Sequence, residues 1–282
     1  DGVEFRNLGP RGKLGRYPIH FHHTGALGGR VEQSTIWQDV RDPGNRFIAV
    51  HNTQHVILKQ NIGLRSQGHG IFFETGEEIN NHVEGNMTVD VRGPEELSNI
   101  EIAQFPLTYH YWVRSRNVLI QNIAVGTNAT PALLQGLQVM DVRAKTLKPV
   151  TPAVGVILLP HRLRGEAQIP AVMTTMAAFG TGLYGYHIAV AGASLASPTV
   201  AFALQSGNAP SVMNKVTLTN PVLLYNGEGE LTYPSQLYLS SNRDVVVEGG
   251  VFVGKVGLHM LYLSNVSLNG TAILGQFLLA PT

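Results

Sequence analysis

The stretch Gly15 to Gly25, GRYPIHFHHTG, places His20, His22 and His23 within four positions. Imidazoles grouped with a carboxylate either hold a divalent transition metal such as zinc or move protons. Three further chemistry-bearing residues end short apolar runs, as His22 ends Ile19-His20-Phe21-His22. They are His51 (Ile48-Ala49-Val50-His51), Glu74 (Ile71-Phe72-Phe73-Glu74) and His110 (Leu107-Thr108-Tyr109-His110). Side chains alternate across an extended strand, so the first and third residues of each run share one face. Those positions are apolar in every run and read as inward. His22, His51, Glu74 and His110 then read as outward, with His20 two places back on the same face. If the runs stack at the ordinary interstrand spacing of roughly 4.8 Å, the outward residues form a ladder. His110 joins it only if the interval before it is one turn plus an insertion.

The expected metal ligands are therefore His20, His22, His51, Glu74 and His110, with a divalent ion such as zinc as the cofactor. Three protein ligands and an open position is the usual catalytic arrangement. As acid and base groups, Glu74 and His51 are the foremost candidates. A glycoside hydrolase needs an acid with a base or nucleophile, for which Glu74 serves best. A lyase needs a base and a neutraliser of the uronate charge, for which His51, an arginine or a metal would serve. Arg16, Arg30, Arg46, Arg65, Arg114 and Arg116 crowd the first 120 residues. Arg16, Arg65 and Trp112 are the expected substrate-binding residues, lining a groove for a polysaccharide, an anionic one among the alternatives. His23, His55 and His69 fall on other faces or corners and read as structural. Glu77 and Glu78 read as a solvated turn.

The elements that must position these residues are strands. Runs such as VILKQNIGL (56–64), HVEGNMTVD (82–90) and VLIQNIAVG (118–126) alternate in polarity around a central Asn61, Asn86 or Asn122. They are rich in Val, Ile and Thr and bounded by turn residues. VTLTNPVLL (216–224), VVVEGGVFV (245–253) and VSLNGTAIL (266–274) repeat the theme. No long stretch shows a 3.6-residue apolar period. A repeat of this size built from short strands is a solenoid. The expected fold is all-β: a right-handed parallel β-helix forming one domain over 1–282, with a less regular insertion at 128–210. Asn at each corner has an ordinary role, hydrogen bonding from one coil to the next.

Composition narrows the classes. The chain is 44% hydrophobic and 14% charged, with a formal net charge of +1. This points to a large core and away from a nucleic-acid binder, which would show a basic stripe. It has no cysteine, which excludes disulfides and thiolate metal sites. Residues 167–214 contain no Asp, Glu, Lys or Arg, but Gly and Pro interrupt them, so buried strands or a subunit interface are expected rather than a membrane span. The opening DGVEFRNLGP has neither an initiator Met nor a leader pattern and reads as a mature protein or an excised piece.

GRYPIHFH, followed by IAVHNTQHVILKQNIGLRSQGHGIFFETGEE and YWVRSRNVLIQNIAVG, resembles the β-helix region of the cell-surface hyaluronidase and fibrocystin group. The resemblance covers roughly residues 1–126. That group pairs a G8 domain with parallel β-helix (PbH1) repeats. The resemblance implies an extracellular or cell-surface setting and, from some animal members, hyaluronan binding and depolymerisation. Two functions are therefore expected in competition. One is an extracellular module that binds, and as an enzyme would cleave, a polysaccharide through the His/Glu ladder. The other is a non-catalytic structural or adhesive piece of a homo-oligomer or larger surface assembly.

Overall fold

The computed structural model of the chain describes residues 1–10, 13, 15–38, 45–75, 77–92, 108–114, 116–126, 153–159, 172–179, 184–189, 216–224, 235–240, 244–261 and 265–279. These hold twenty-four strands and no helix. After β1 (Glu4–Arg6), the strands follow in triplets, one triplet per coil. The first coil is β2 (Ile19–Gly25), β3 (Gly29–Glu32) and β4 (Thr35–Trp37); the second is β5 (Ile48–Thr53), β6 (Val56–Lys59) and β7 (Ile62–Gln67). The third is β8 (Ile71–Phe73), β9 (His82–Glu84) and β10 (Met87–Arg92); the fourth is β11 (Thr108–Arg114), β12 (Val118–Ile120) and β13 (Ile123–Val125). Next come β14 (Ala153–Leu159), β15 (Val172–Thr174) and β16 (Ala177–Phe179), then β17 (Tyr184–Ala189), β18 (Val216–Thr219) and β19 (Val222–Leu224). The last are β20 (Ser235–Ser240), β21 (Asp244–Glu248), β22 (Val251–Leu261), β23 (Asn265–Asn269) and β24 (Ala272–Leu279).

As far as β19 each strand pairs in parallel with the strand three places on, and β20, β21 and β22 pair two places on, which builds three walls. The first wall runs β2-β5-β8-β11-β14-β17-β20, the second β3-β6-β9-β12-β15-β18-β21-β23, and the third β1-β4-β7-β10-β13-β16-β19. The eleven-residue β22 serves two walls, pairing with β19 through Val251–Val253 and with β20 through Leu258–Leu261. This is a parallel β-helix. Between 128 and 210, the described strands β14 to β17 carry the walls onward.

Between the second and third walls the coils turn at residues of positive φ: Gln33, Gln60, Gly85, Gln121, Thr175, Asn220 and Gly270 singly, and Gly249 with Gly250 as a pair. After Gln33, Gln60, Gly85, Gln121 and Thr175 the next residue is buried. Asn61, Asn86 and Asn122 occupy that place and are at most 2% exposed. The Asn61 N–H donates to Asn86 Oδ1 and the Asn86 N–H to Asn122 Oδ1, each at 3.0 Å. Buried corner amides are thus satisfied by the next coil, which is what keeps a polar group inside an apolar stack. A second ladder, absent from the sequence reading, joins Asn81 to Asn117 at the corner between the first and second walls.

The interior is filled by Ile48, Val50, Ile71 and Phe73 from the first wall, Leu58, Val83 and Leu119 from the second, and Ile36, Ala124 and Phe252 from the third. Ile19 and Phe21 pack against this column from the first coil. Gly63 faces the Phe47 ring so closely that a Cβ there would overlap it. No helix among the described residues is long and apolar enough to cross a membrane.

Candidate metal centre

His22 and His51 are register partners on β2 and β5. Glu74 follows Phe73, the partner of Val50, and its N–H donates to the Val50 carbonyl at 3.0 Å. The three therefore stand one above another on the outer face of the first wall. His20 lies on the same face: its ring centroid is 4.8 Å from that of His22 and 6.1 Å from that of His51. The donor atoms of His20, His22 and His51 all lie within 4.8 Å of one another. Glu74 Oε2 completes the group, 3.6 Å from His51 Nδ1 and 4.0 Å from His20 Nε2.

Those separations exceed a hydrogen bond. They approach the ligand–ligand distance of about 3.3 Å that tetrahedral zinc requires with bonds near 2.0–2.1 Å. His20 Nδ1 lies 3.0 Å from the Gly15 carbonyl, which can only accept. The Nδ1 proton goes there, and Nε2 is left as a lone pair. Both His20 Nε2 and Glu74 Oε2 are buried without a hydrogen-bond partner. Two buried electron-rich atoms thus face each other, which is costly unless a cation or proton lies between them. Burial first, and then the neighbouring His22, His51 and Arg46, hold the His20 pKa below its ordinary value. The protonated imidazole is therefore disfavoured, and the arrangement suits a metal ion.

A second layer supports the cluster from outside the sheet. Tyr17 packs edge-on against His20 at 4.9 Å. The Arg46 guanidinium is sandwiched between the rings of Tyr17 and Phe72, at 4.5 and 4.4 Å. Phe72 in turn meets Trp112 and His69. Because of this layer Ala49, Phe72 and Trp112 are nearly inaccessible although they lie on the outer face of the wall. Burial pushes the Tyr17 hydroxyl pKa up and holds the His69 imidazole well below its ordinary value.

Several expected site residues are placed elsewhere. His110 does not join the ladder. Tyr111, not Leu107, pairs with Ile71, so β11 sits four residues out of the expected register. His110 is fully buried and its Nδ1 lies 2.9 Å from Thr88 Oγ1, a side chain of the third wall. Burial lowers its pKa to about 3. A polar residue at the end of an apolar run looked outward by alternation, but the chain approaches closely there. Gly70 lies under the His110 carbonyl, leaving no room for a Cβ. Trp112 is 2% exposed and serves packing, not a substrate surface. Arg65 sits on β7 in the third wall, 3.9 Å from Asp90, away from the His/Glu cluster. Arg16 is exposed in the segment that leads into β2.

Glu78 corrects another expectation. Instead of a solvated turn it is fully buried. Its Oε1 accepts from the N–H groups of Asn52 at 2.9 Å and Thr75 at 3.0 Å, and from the Thr75 hydroxyl. Those residues follow His51 and Glu74 directly, so one carboxylate oxygen ties the two ligand-bearing backbones together. His23, at positive φ, brings its ring within 4.2 Å of His51. His55 is an exposed corner residue of positive φ.

The His/Glu cluster lies in the first half of the chain, between His20 and Glu74. Residues 1–136 match the CEMIP beta-helix family. The chain is 31% identical over 123 residues to Fibrocystin-L of Homo sapiens, covering 44% of this chain and 3% of that protein. It is 33% identical over 89 residues to Cell surface hyaluronidase CEMIP2 of Homo sapiens, covering 30% and 6%. Cell migration-inducing and hyaluronan-binding protein of Mus musculus is 35% identical over 85 residues, covering 29% and 6%. The chain thus spans only a small fraction of each of these relatives.

Proposed function

We propose that the chain is an extracellular or cell-surface module that binds a polysaccharide across the first wall of its β-helix and cleaves it at a divalent-metal centre. The ligands are His20 Nε2, His51 and Glu74 Oε2, with His22 at the exposed end of the ladder. One observation carries this reading: His20 Nε2 and Glu74 Oε2 are buried, unpartnered and turned toward each other. A divalent ion there would act as a Lewis acid or lower the pKa of a bound water. Glu74 would then serve as a ligand rather than as a free acid. His22, exposed beside His51, is the imidazole a bound sugar reaches, and it is placed to accept or return a proton. The exposed Arg16, in the segment that leads into β2, supplies positive charge toward a uronate. Hyaluronan is the first ligand to test, because two of the relatives carry hyaluronan or hyaluronidase in their names.

The test is a panel of polysaccharides headed by hyaluronan, offered to the chain loaded with zinc or stripped by a chelator. Reducing ends report hydrolysis, and ultraviolet absorbance of unsaturated products reports a lyase. Metal-dependent cleavage that disappears in His51→Ala is the expected result. Binding without cleavage in both states supports the adhesive alternative. Failure to take up any divalent metal overturns the centre itself.

A further inference from the structure

The outer face of the third wall has a composition that the polysaccharide reading does not use. Register places two outward residues of every strand in vertical rows. One row passes from Thr35 through Ile62 to Val251, and the other from Trp37 through Leu64 to Leu274. From β4 to β24 neither row contains a charged residue; the only charges in line are Glu4 and Arg6 on β1. Ile62 is 46% exposed, Val251 38% and Leu274 65%, while Ala177 in the first row is only 8% exposed, so among the described residues the face is most open toward its two ends. Its borders differ sharply. On one side runs the corner column of exposed Gln33, Gln60, Gln121 and Asn220, and on the other the Arg65–Asp90 pair. An apolar centre depleted in charge with a polar rim is the anatomy of a protein interface.

We infer that this face is where two copies of the chain pack, third wall against third wall. Eight strands at roughly 4.8 Å and about four residues of width give a strip of about 38 by 13 Å. That is ~500 Å² per copy and ~1,000 Å² for the pair, the lower bound for a specific interface. The strip has no charge to match and little hydrogen-bonding capacity, so its partner must be flat, apolar and of the same rung spacing. A second copy satisfies all three, since sheets stack about 10 Å apart with interleaved side chains. A two-fold pairing uses one self-complementary patch and closes on itself, whereas an unpaired strip would invite open-ended association. The His/Glu centre stands on a different wall, so pairing leaves it accessible on each copy.

Sedimentation equilibrium of the whole chain from low to high micromolar tests the pairing. A monomer–dimer equilibrium is expected. The double substitution Ile62→Lys with Val251→Lys puts like charges on both facing strips and should weaken it by about 100-fold or more. Both sites are already solvent-facing, and circular dichroism and melting confirm the fold of the variant. Leu27→Lys, on a turn where the residue is 90% exposed, should leave the equilibrium unchanged. A monomer at every concentration, or a dimer indifferent to the double substitution, overturns the inference.

Discussion

His51 Nδ1, on β5, and Glu74 Oε2, directly after β8, face each other at 3.6 Å, too far apart for a hydrogen bond and close enough to share an ion. They are 23 residues apart in sequence and one rung apart in the solenoid. Zinc at 100 times its dissociation constant should stabilise the fold by about 2.7 kcal/mol, seen as a raised melting temperature that a chelator reverses. Glu74→Gln and His51→Ala should each remove most of that shift. Equal melting with and without zinc would show that the pair holds no metal.

Glu78 should act on the same centre from behind. Glu78→Ala leaves the part-buried N–H groups of Asn52 and Thr75 without their acceptor, at a cost of about 1 kcal/mol per orphaned group. It should also weaken metal binding about 10–100-fold, as loss of an orienting partner does. Glu78→Gln keeps an acceptor oxygen and should recover most of the affinity. Isothermal titration of zinc into the three proteins separates affinity from stability.

His110 predicts a pH dependence of folding. Its folded pKa of about 3 lies below the ordinary value of about 6.5 for an unfolded chain. Between those values the unfolded state binds the extra proton, so stability falls as pH drops below about 6.5 and levels off near 3. Buried His69 adds to the loss with the same sign. Denaturant melts at pH 7 and pH 5 should show the decline, and His110→Gln should reduce it. Unchanged midpoints would contradict the burial of His110.

The corner ladder predicts a contrast between neighbours. Asn86→Ala removes the acceptor of the Asn61 N–H inside the stack and should cost about 1–3 kcal/mol. Gln60→Ala, one position before a ladder residue and exposed, should stay within about 0.5 kcal/mol. Urea midpoints of the two variants decide this.

Local rules carry furthest where a residue's role depends only on its own strand. Alternation in Ile48-Ala49-Val50-His51 and Ile71-Phe72-Phe73-Glu74 reveals which side chains fill the interior, because a strand has only two faces. The recurring Asn marks the corner, because only a buried polar group with a partner one coil away is tolerated there. The alignment of His51 with Glu74 follows from those two facts, since only Gly68, His69 and Gly70 separate β7 from β8. Register across an insertion is another matter. The interval before β11 hides a four-residue offset, and that offset moves His110 from the outer ladder to the core and Trp112 into a covered layer. The roles of Arg46, Tyr17 and Glu78 are not legible in the sequence for a related reason. Their work depends on packing over the outside of a wall, or on turning back into a corner, and neither leaves a period in the chain. The same is true of the uncharged strip on the third wall. Apart from Thr35 on β4, each strand contributes two ordinary apolar residues, and the surface exists once parallel stacking brings these uncharged pairs into line.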